Sequence, residues 1–474
     1  MVATLACQRR DMAQPQAVFL EGSLFRHITV MSMTASVGLM AVFLVDFVDM
    51  IFISMLGKEE LAAAVGYAGA LLFFTSSFGI GMAIAGGALV ARALGAGDEE
   101  LARRRAGTTL FYGVVFGALF AAAVWFNLPM LVRLLGASDA TADLAVHYLR
   151  IIIPSLPLLI VGMVGGAILR AHGDARRSMM ATIIGGLINA VLDPILIFGF
   201  DLELTGAAIA SVCARIGIAS MALVPIFRHH GGLIRPNWGD LRLDLPPIFM
   251  LAGPAILTQL ATPIGQAYVT RAMAEYGEDA VAGMAIVGRL TPVAFGILFA
   301  LSGAVGPIVG QNFGAGKQDR VRRTYVEALL FTALVVVVVA GLLFLVREPI
   351  ADLFSATGIA RELVFLFCGP LALLFFFNGM IFVSNASFNN LGHPFQSTLV
   401  NWGRHTIGTI IPVLVFSAWL GAEGVLVGQA VGGIAFGILS YVLVQRVMNA
   451  TPKAATEEPF QRHTRLLTLF HHRR

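Results

Sequence analysis

Apolar residues run through this chain in long blocks, separated by short breaks that gather glycine, proline and charge. The blocks fall near 24–55, 62–94, 104–126, 141–171, 176–200, 204–228, 247–275, 279–311, 321–346, 361–391, 395–418 and 422–447. About 20 apolar residues suffice for a membrane-spanning helix, and blocks longer than that predict tilted or bent spans. The pattern therefore predicts an all-α polytopic membrane protein with twelve transmembrane helices. Prolines inside the blocks, among them Pro154, Pro194, Pro254, Pro292, Pro370 and Pro412, mark positions where a helix loses a backbone bond and bends.

The blocks repeat. Val90-Ala91-Arg92-Ala93-Leu94-Gly95-Ala96-Gly97 is followed by Arg103-Arg104, and Val309-Gly310-Gln311-Asn312-Phe313-Gly314-Ala315-Gly316 by Arg322-Arg323, at an offset of 219 residues. The same offset carries Ala167 to Ala386, Gly173 to Gly392 and Ser178 to Ser397. The chain thus reads as two six-helix bundles in parallel, an architecture of transporters. The expected divisions are a tail at 1–23, an N-lobe at 24–228, a linker at 229–246, a C-lobe at 247–447 and a tail at 448–474. The polar N-terminal stretch lacks the apolar core of a signal peptide.

Composition agrees. Of 474 residues, 57% are hydrophobic and 13% charged, about half the charge of a soluble domain. The net charge of +4 matters less than its placement. With both termini inside, 23 of the 32 Lys and Arg fall on the cytoplasmic side or tails and five outside, which predicts a cytoplasmic (inner) membrane protein with cytoplasmic termini. Cys7, Cys213 and Cys368 have no metal or disulfide spacing.

One stretch carries chemistry. Asn189 and Asp193 lie four residues apart, on one face of a predicted helix, and Pro194 follows. Pro194 has no N–H, so the Ala190 carbonyl loses its helical partner. Asp49 and Asp46 add carboxylates on the first span. A charge at membrane depth costs about 2.5–3.5 kcal/mol on the mildest scale, and such residues mark ion pathways. Two readings stay open. The carboxylates exchange protons, or they bind Na⁺ at Asp49, Asn189 and Asp193, with Ser211 and the freed carbonyl as further oxygen ligands. By the repeat offset, Asp193, Asn189 and Asp49 map to Pro412, Gly408 and Tyr268, so the acids belong to the first lobe alone.

Polar residues on spans of the second half, Gln259, Gln266, Asn378, Asn385 and Gln429, are candidates for a substrate cavity, with Arg289 beside them. Arg215, Arg289 and Arg404 either snorkel or pair with acids such as Asp46. Gly314-Ala315-Gly316-Lys317 fails as a phosphate loop, because Gln311 and Gln318 stand where Gly and Ser/Thr are needed. No nucleophile–base pair or metal set is visible. The expectation is a non-enzyme without a cofactor, driven by a gradient of H⁺ or Na⁺. Small molecules and membrane lipids are its partners, not nucleic acid, and it is expected to act as a monomer.

The chain resembles the multidrug and toxic compound extrusion (MATE) family. The resemblance rests on Leu20-Glu21-Gly22, Val48-Asp49 with Ile51-Phe52-Ile53, Gly95-Ala96-Gly97-Asp98, Ala167 to Asp174, and Asn189 to Pro194. It implies two lobes opening in a V and export of organic cations against inward H⁺ or Na⁺. The DinF-like branch is closer. Its ion-coupling residues fall on Asp49, Asn189, Asp193 and Ser211, and no acid stands near Gln259 to Thr262, where another branch uses one. Gly166 replaces a usual Asn, which removes a possible partner of the acids. Helix 1 lacks the usual proline near Thr34 and Ala35. The alternative is a flippase for a lipid-linked or anionic amphipathic compound.

Overall fold

The computed structural model describes residues 17–56 and 59–450. Among these, all regular structure is helical. The spans are α1 (Leu24–Met55), α2 (Glu59–Gly95), α3 (Glu99–Phe126), α4 (Asp139–Ile152 continuing through Leu156–Ala171), α5 (Ala175–Pro194), α6 (Glu203–His229) and α7 (Trp238–Ala274). They continue as α8 (Glu278–Ala294 and Gly296–Gly314), α9 (Gln318–Leu345), α10 (Gly358–Leu366 and Ala372–Leu391), α11 (Pro394–His405 and Ile407–Leu420) and α12 (Ala422–Ala450). Among the described residues, eleven stretches are long and apolar enough to cross a membrane. The twelfth, α11, is split at Thr406 into pieces of 12 and 14 residues. At the break the Trp402 carbonyl accepts twice from Thr406, from its N–H at 2.9 Å and from its hydroxyl at 2.6 Å.

The repeat governs the backbone. Helices start at Glu59, Glu99, Leu128, Asp139, Ala175 and Glu203, and their counterparts at Glu278, Gln318, Arg347, Gly358, Pro394 and Ala422, each 219 residues on. Even the short helices Leu128–Leu134 and Arg347–Leu353 keep this register.

Several irregularities sit at the expected prolines. A 3₁₀ turn at Ile153–Ser155 holds Pro154, and a π-helical turn at Ile195–Gly199 follows Pro194. Another spans Phe367–Leu371, with Pro370 after the non-helical Gly369. In contrast, α1, which lacks the proline, is one unbroken helix of 32 residues through Thr34 and Ala35.

The linker is shorter than its composition suggests. The helix of α7 begins at Trp238, inside the stretch 229–246 read as linker, and runs through Pro246 and Pro247. A capping box at Asn237 and Asp240 starts it. Asp244 then anchors it to α3 through Arg104, at 3.3 Å, and Thr108, at 3.0 Å. Those bonds hold the turn just before the proline pair.

Two buried cores form, and they trade their first helical turns. One gathers residues from Ile53 to Ile226 together with Leu241, Ile248, Leu251 and Ala252 from the start of α7. The other gathers Val269 to Met448 together with Phe19, Leu24, Ile28 and Met31 from the start of α1 and its lead-in. The lobes are thus cross-bound at the end where α1 and α7 begin, the face that carries the basic loops. There α1 packs on α8, and α2 on α7 and α8.

Candidate functional site

Asp49, Asn189 and Asp193 come together. The Asn189 amide donates to both Asp49 oxygens at 3.1 Å and to Asp193 Oδ2 at 2.6 Å. Asp193 is 1% exposed and Asn189 is buried; Asp49 is half-buried. The two carboxyl groups are within hydrogen-bonding reach of each other. Asp193 Oδ1 is buried and has no donor. Two carboxyl groups in contact need a proton or a cation between them, so this arrangement can load one positive charge.

Local sequence explains the convergence. A Cβ on Gly185 would collide with Ile218 of α6, and one on Gly186 would lie 2.9 Å from Val45 of α1. Glycines one turn ahead of Asn189 let α5 press against both neighbours. The π-helical turn just after Asp193 shows how Pro194 loosens the backbone there.

Tyr148 of α4, a residue that sequence reasoning passed over, completes the cluster. It is buried, faces both carboxylates and pairs with Ser211 of α6. Ser211 therefore bonds to a phenol that lies near the acids. An aromatic in an apolar run gives no polar signal by which it could be found. Asp46 lies in α1, but its side chain is outside the described residues. Arg215 pairs with neither acid: its Nη1 donates to Ser155 Oγ at 2.9 Å and to the Ile152 carbonyl at 3.2 Å, groups left free at the 3₁₀ turn. Among the described residues no three of His, Cys, Asp and Glu gather as a metal set.

Gly166 is not near the acids. Its neighbours are Ser178 and Arg170, with a Cβ there 3.2 Å from Ser178 Oγ. Ser178 precedes Asn189 by eleven residues, about 16 Å along the helix, so the replaced Asn is no partner of the carboxylates.

The cavity candidates are spread over the second lobe. Gln259 and Gln266 lie on α7, Asn378 and Asn385 on α10 and Gln429 on α12, all half-buried; Arg289 is exposed on α8. Asn385 accepts from Asn401 at 3.1 Å, an interhelical bond, and Asn378 lies against Gly433 with its oxygen buried and unpaired.

At the basic face the lobes are clasped twice, by equivalent bonds. Arg92 Nε, at the end of α2, donates to the Asn390 carbonyl at 2.8 Å, and Gln311 Nε2, at the end of α8, donates to the Ala171 carbonyl at 2.8 Å. Gln311 is the 219-residue counterpart of Arg92, and Asn390 of Ala171. A Cβ on Gly95 would strike the Gln311 carbonyl, and one on Gly314 would strike that of Arg92. Only glycine permits this crossing of α2 and α8. The lead-in is caught in the clasp: Phe19 N donates to Gln311 Oε1 at 2.9 Å, and the Phe19 carbonyl accepts from Asn312 at 3.1 Å and Arg320 at 3.0 Å.

Beside Ala171, His172 is buried, stacks on His230 with ring centroids 4.5 Å apart and donates from Nδ1 to the Ile168 carbonyl. Burial holds its pKa down at about 4. Asp174 caps α5; burial would raise its pKa, but hydrogen bonds from His230 and Arg177 outweigh this and hold it at about 2.

A double six-helix repeat, clasped at one end and carrying a loadable carboxyl pair in one lobe, defines a secondary-transporter architecture. The MatE family matches residues 35–195 and 254–415, once in each half. The chain belongs to the MATE family. It is 28% identical, over 90% of its length and 96% of the relative's, to a protein of Shewanella oneidensis named "FAD transporter". It is 24% identical to "Multidrug export protein MepA" of Staphylococcus aureus, over 92% and 98%. The solved structure of a mutant of the Vibrio cholerae MATE transporter VcmN superposes with a TM-score of 0.86 at 24% identity, covering 93% of this chain and 99% of that one. An outward-facing MATE family transporter gives 0.87 at 22%, over 93% and 99%. The chain is a multi-pass MATE transporter with the twelve-helix, two-lobed V-shaped fold, and not an enzyme.

Proposed function

We propose that this transporter exports small organic compounds across the inner membrane in exchange for protons, with Asp49 and Asp193 as the loading pair. The observation that carries this is the Asn189 amide, which donates to three of the four carboxylate oxygens. Donation suits a pair that shares a proton. A sodium site would want the Asn189 oxygen turned inward as a ligand. Asp193 Oδ1, buried without a donor, is the atom that takes the proton. Protonation removes a buried negative charge, relaxes the cluster between α1 and α5, and so favours one arrangement of the N-lobe over the other. Coupling arises only from that difference in affinity between states. The charge distribution supports both termini lying in the cytoplasm.

The test is substrate accumulation in reconstituted vesicles under a pH gradient alone and a sodium gradient alone. Transport driven by pH, and unchanged when sodium is added, is the expected result. Transport that runs only on sodium would overturn the proton reading and leave the site intact as a cation site. A second reading, an anionic amphipathic cargo, is favoured by a specific arginine described next. The relative named "FAD transporter" is in keeping with a cargo of that kind.

A further inference from the structure

Arg170 is a guanidinium at the seam of the two lobes. It lies on α4 next to Ala171, whose carbonyl carries one clasp. Its Nη1 donates to Ser178 Oγ at 2.8 Å. Its Nε lies 3.6 Å from the place of a Cβ on Gly303, which belongs to α8 of the opposite lobe. Among the described residues the ion pairs do not include it. One hydroxyl answers one of its five N–H groups. Arg170 is half-buried in the last turn of α4, and holding an uncompensated guanidinium even partly out of bulk water is costly.

Two neighbours give the charge a context. Arg92 reaches across the seam to the carbonyls of Asn390 and Asn389, at 2.8 and 3.3 Å. Those bonds must break when the lobes part on the basic face, so the same seam also opens at Arg92. One helical turn from Gly303 on α8 stands Phe299, 38% exposed, its ring 5.2 Å from Phe382 and 6.2 Å from Phe375. A flat ring surface thus lies one helical turn from the Arg170 charge.

We propose that Arg170 binds the phosphate of a planar, ring-bearing anionic substrate that rests on Phe299. Export of that substrate rests on the reading above; its recognition does not. Guanidinium–phosphate pairing supplies strong, directional bonds that a neutral analogue cannot make. The exposed phenylalanine face supplies the complementary surface for a flat ring.

The experiment compares riboflavin, FMN and FAD, which share one ring and differ in phosphate. Purified full-length protein is titrated with each, following flavin fluorescence. The two phosphorylated flavins should bind at least about tenfold tighter than riboflavin, as charge-assisted pairing requires. Arg170→Gln should erase that gap by weakening FMN and FAD and leaving riboflavin unchanged; Arg170→Lys should restore part of it. Should Arg170→Gln fail to fold, the salt dependence of wild-type binding decides. High salt must weaken FMN and spare riboflavin. Equal binding of riboflavin and FMN to the wild type, no flavin binding at all, or an undiminished gap in Arg170→Gln overturns the proposal. Asp193→Asn keeps Arg170 and should keep the gap while losing gradient-driven export. Export surviving in that variant would sink the proton reading alone.

Discussion

The two lobes share a backbone and differ in what they put on it. At Asn189 and Asp193 the first lobe places an amide and a carboxylate against α1; at the same positions of the second stand Gly408 and Pro412. A Cβ on Gly408 would lie 2.6 Å from the Phe436 ring, so the space that carries polar chemistry in one lobe is filled by an aromatic side chain in the other. Facing it, Asp49 is answered by Tyr268, and Tyr148 by Phe367. The clasps behave in the opposite way. Arg92 and Gln311 differ in charge yet make the same bond to equivalent carbonyls. Symmetry survives where the lobes must meet each other, and is lost where one lobe gathers buried carboxylates.

Substitutions that exchange residues between the lobes sharpen this contrast. The largest effect is expected at the acid. Asp193→Asn should reduce proton-driven export to background in vesicles, whereas Pro412→Ala should leave its pH dependence as in the wild type. Comparable losses from both would show that the second lobe also carries coupling.

Next comes His172, whose counterpart is Leu391. Its folded pKa, about 4, lies below the ordinary 6.5, so the unfolded chain binds its proton first. The stability it secures is complete above pH 6.5 and is lost as pH falls toward 4, on the order of 3 kcal/mol in all. The melting temperature should drop over that window. His172→Leu, which imports the second lobe's residue, should flatten the drop; an unaltered pH profile would refute the assignment.

Gly95→Ala and Gly314→Ala should each destabilise by about 1–3 kcal/mol, since both add a methyl against a carbonyl. Their effects on melting should match. A tolerated change on one side would show the crossing to be unequal. The smallest effect belongs to Tyr148→Phe, again an exchange with the second lobe. Loss of one phenol beside the carboxylates should shift the pH midpoint of transport by less than about one unit. A shift as large as that of the acid variants would make Tyr148 a proton carrier itself.

Much of this was legible beforehand. Long apolar blocks marked the spans, because each has to satisfy its own backbone in lipid; the short helices had no such mark, although they too follow the offset of 219 residues. Asn189 and Asp193 were visible because carboxylates at membrane depth are costly. The start of α7 was hidden by Pro246 and Pro247, since the bonds that secure it come from Arg104 and Thr108, far away in sequence. The clasps were hidden although their residues lie in the repeated motif. A side chain that donates to a main-chain carbonyl has no partner residue type to search for. The exchange of first helical turns between cores has no sequence signature, as both lobes supply the same apolar composition.

The acceptors of those clasps have an implication for how this molecule tolerates mutation. A peptide oxygen persists whatever amino acid bears it, proline included. The accepting half of the lock therefore survives a change of residue type at positions 171 and 390, and the weak points are the two keys, Arg92 and Gln311, and the glycines that let their helices cross.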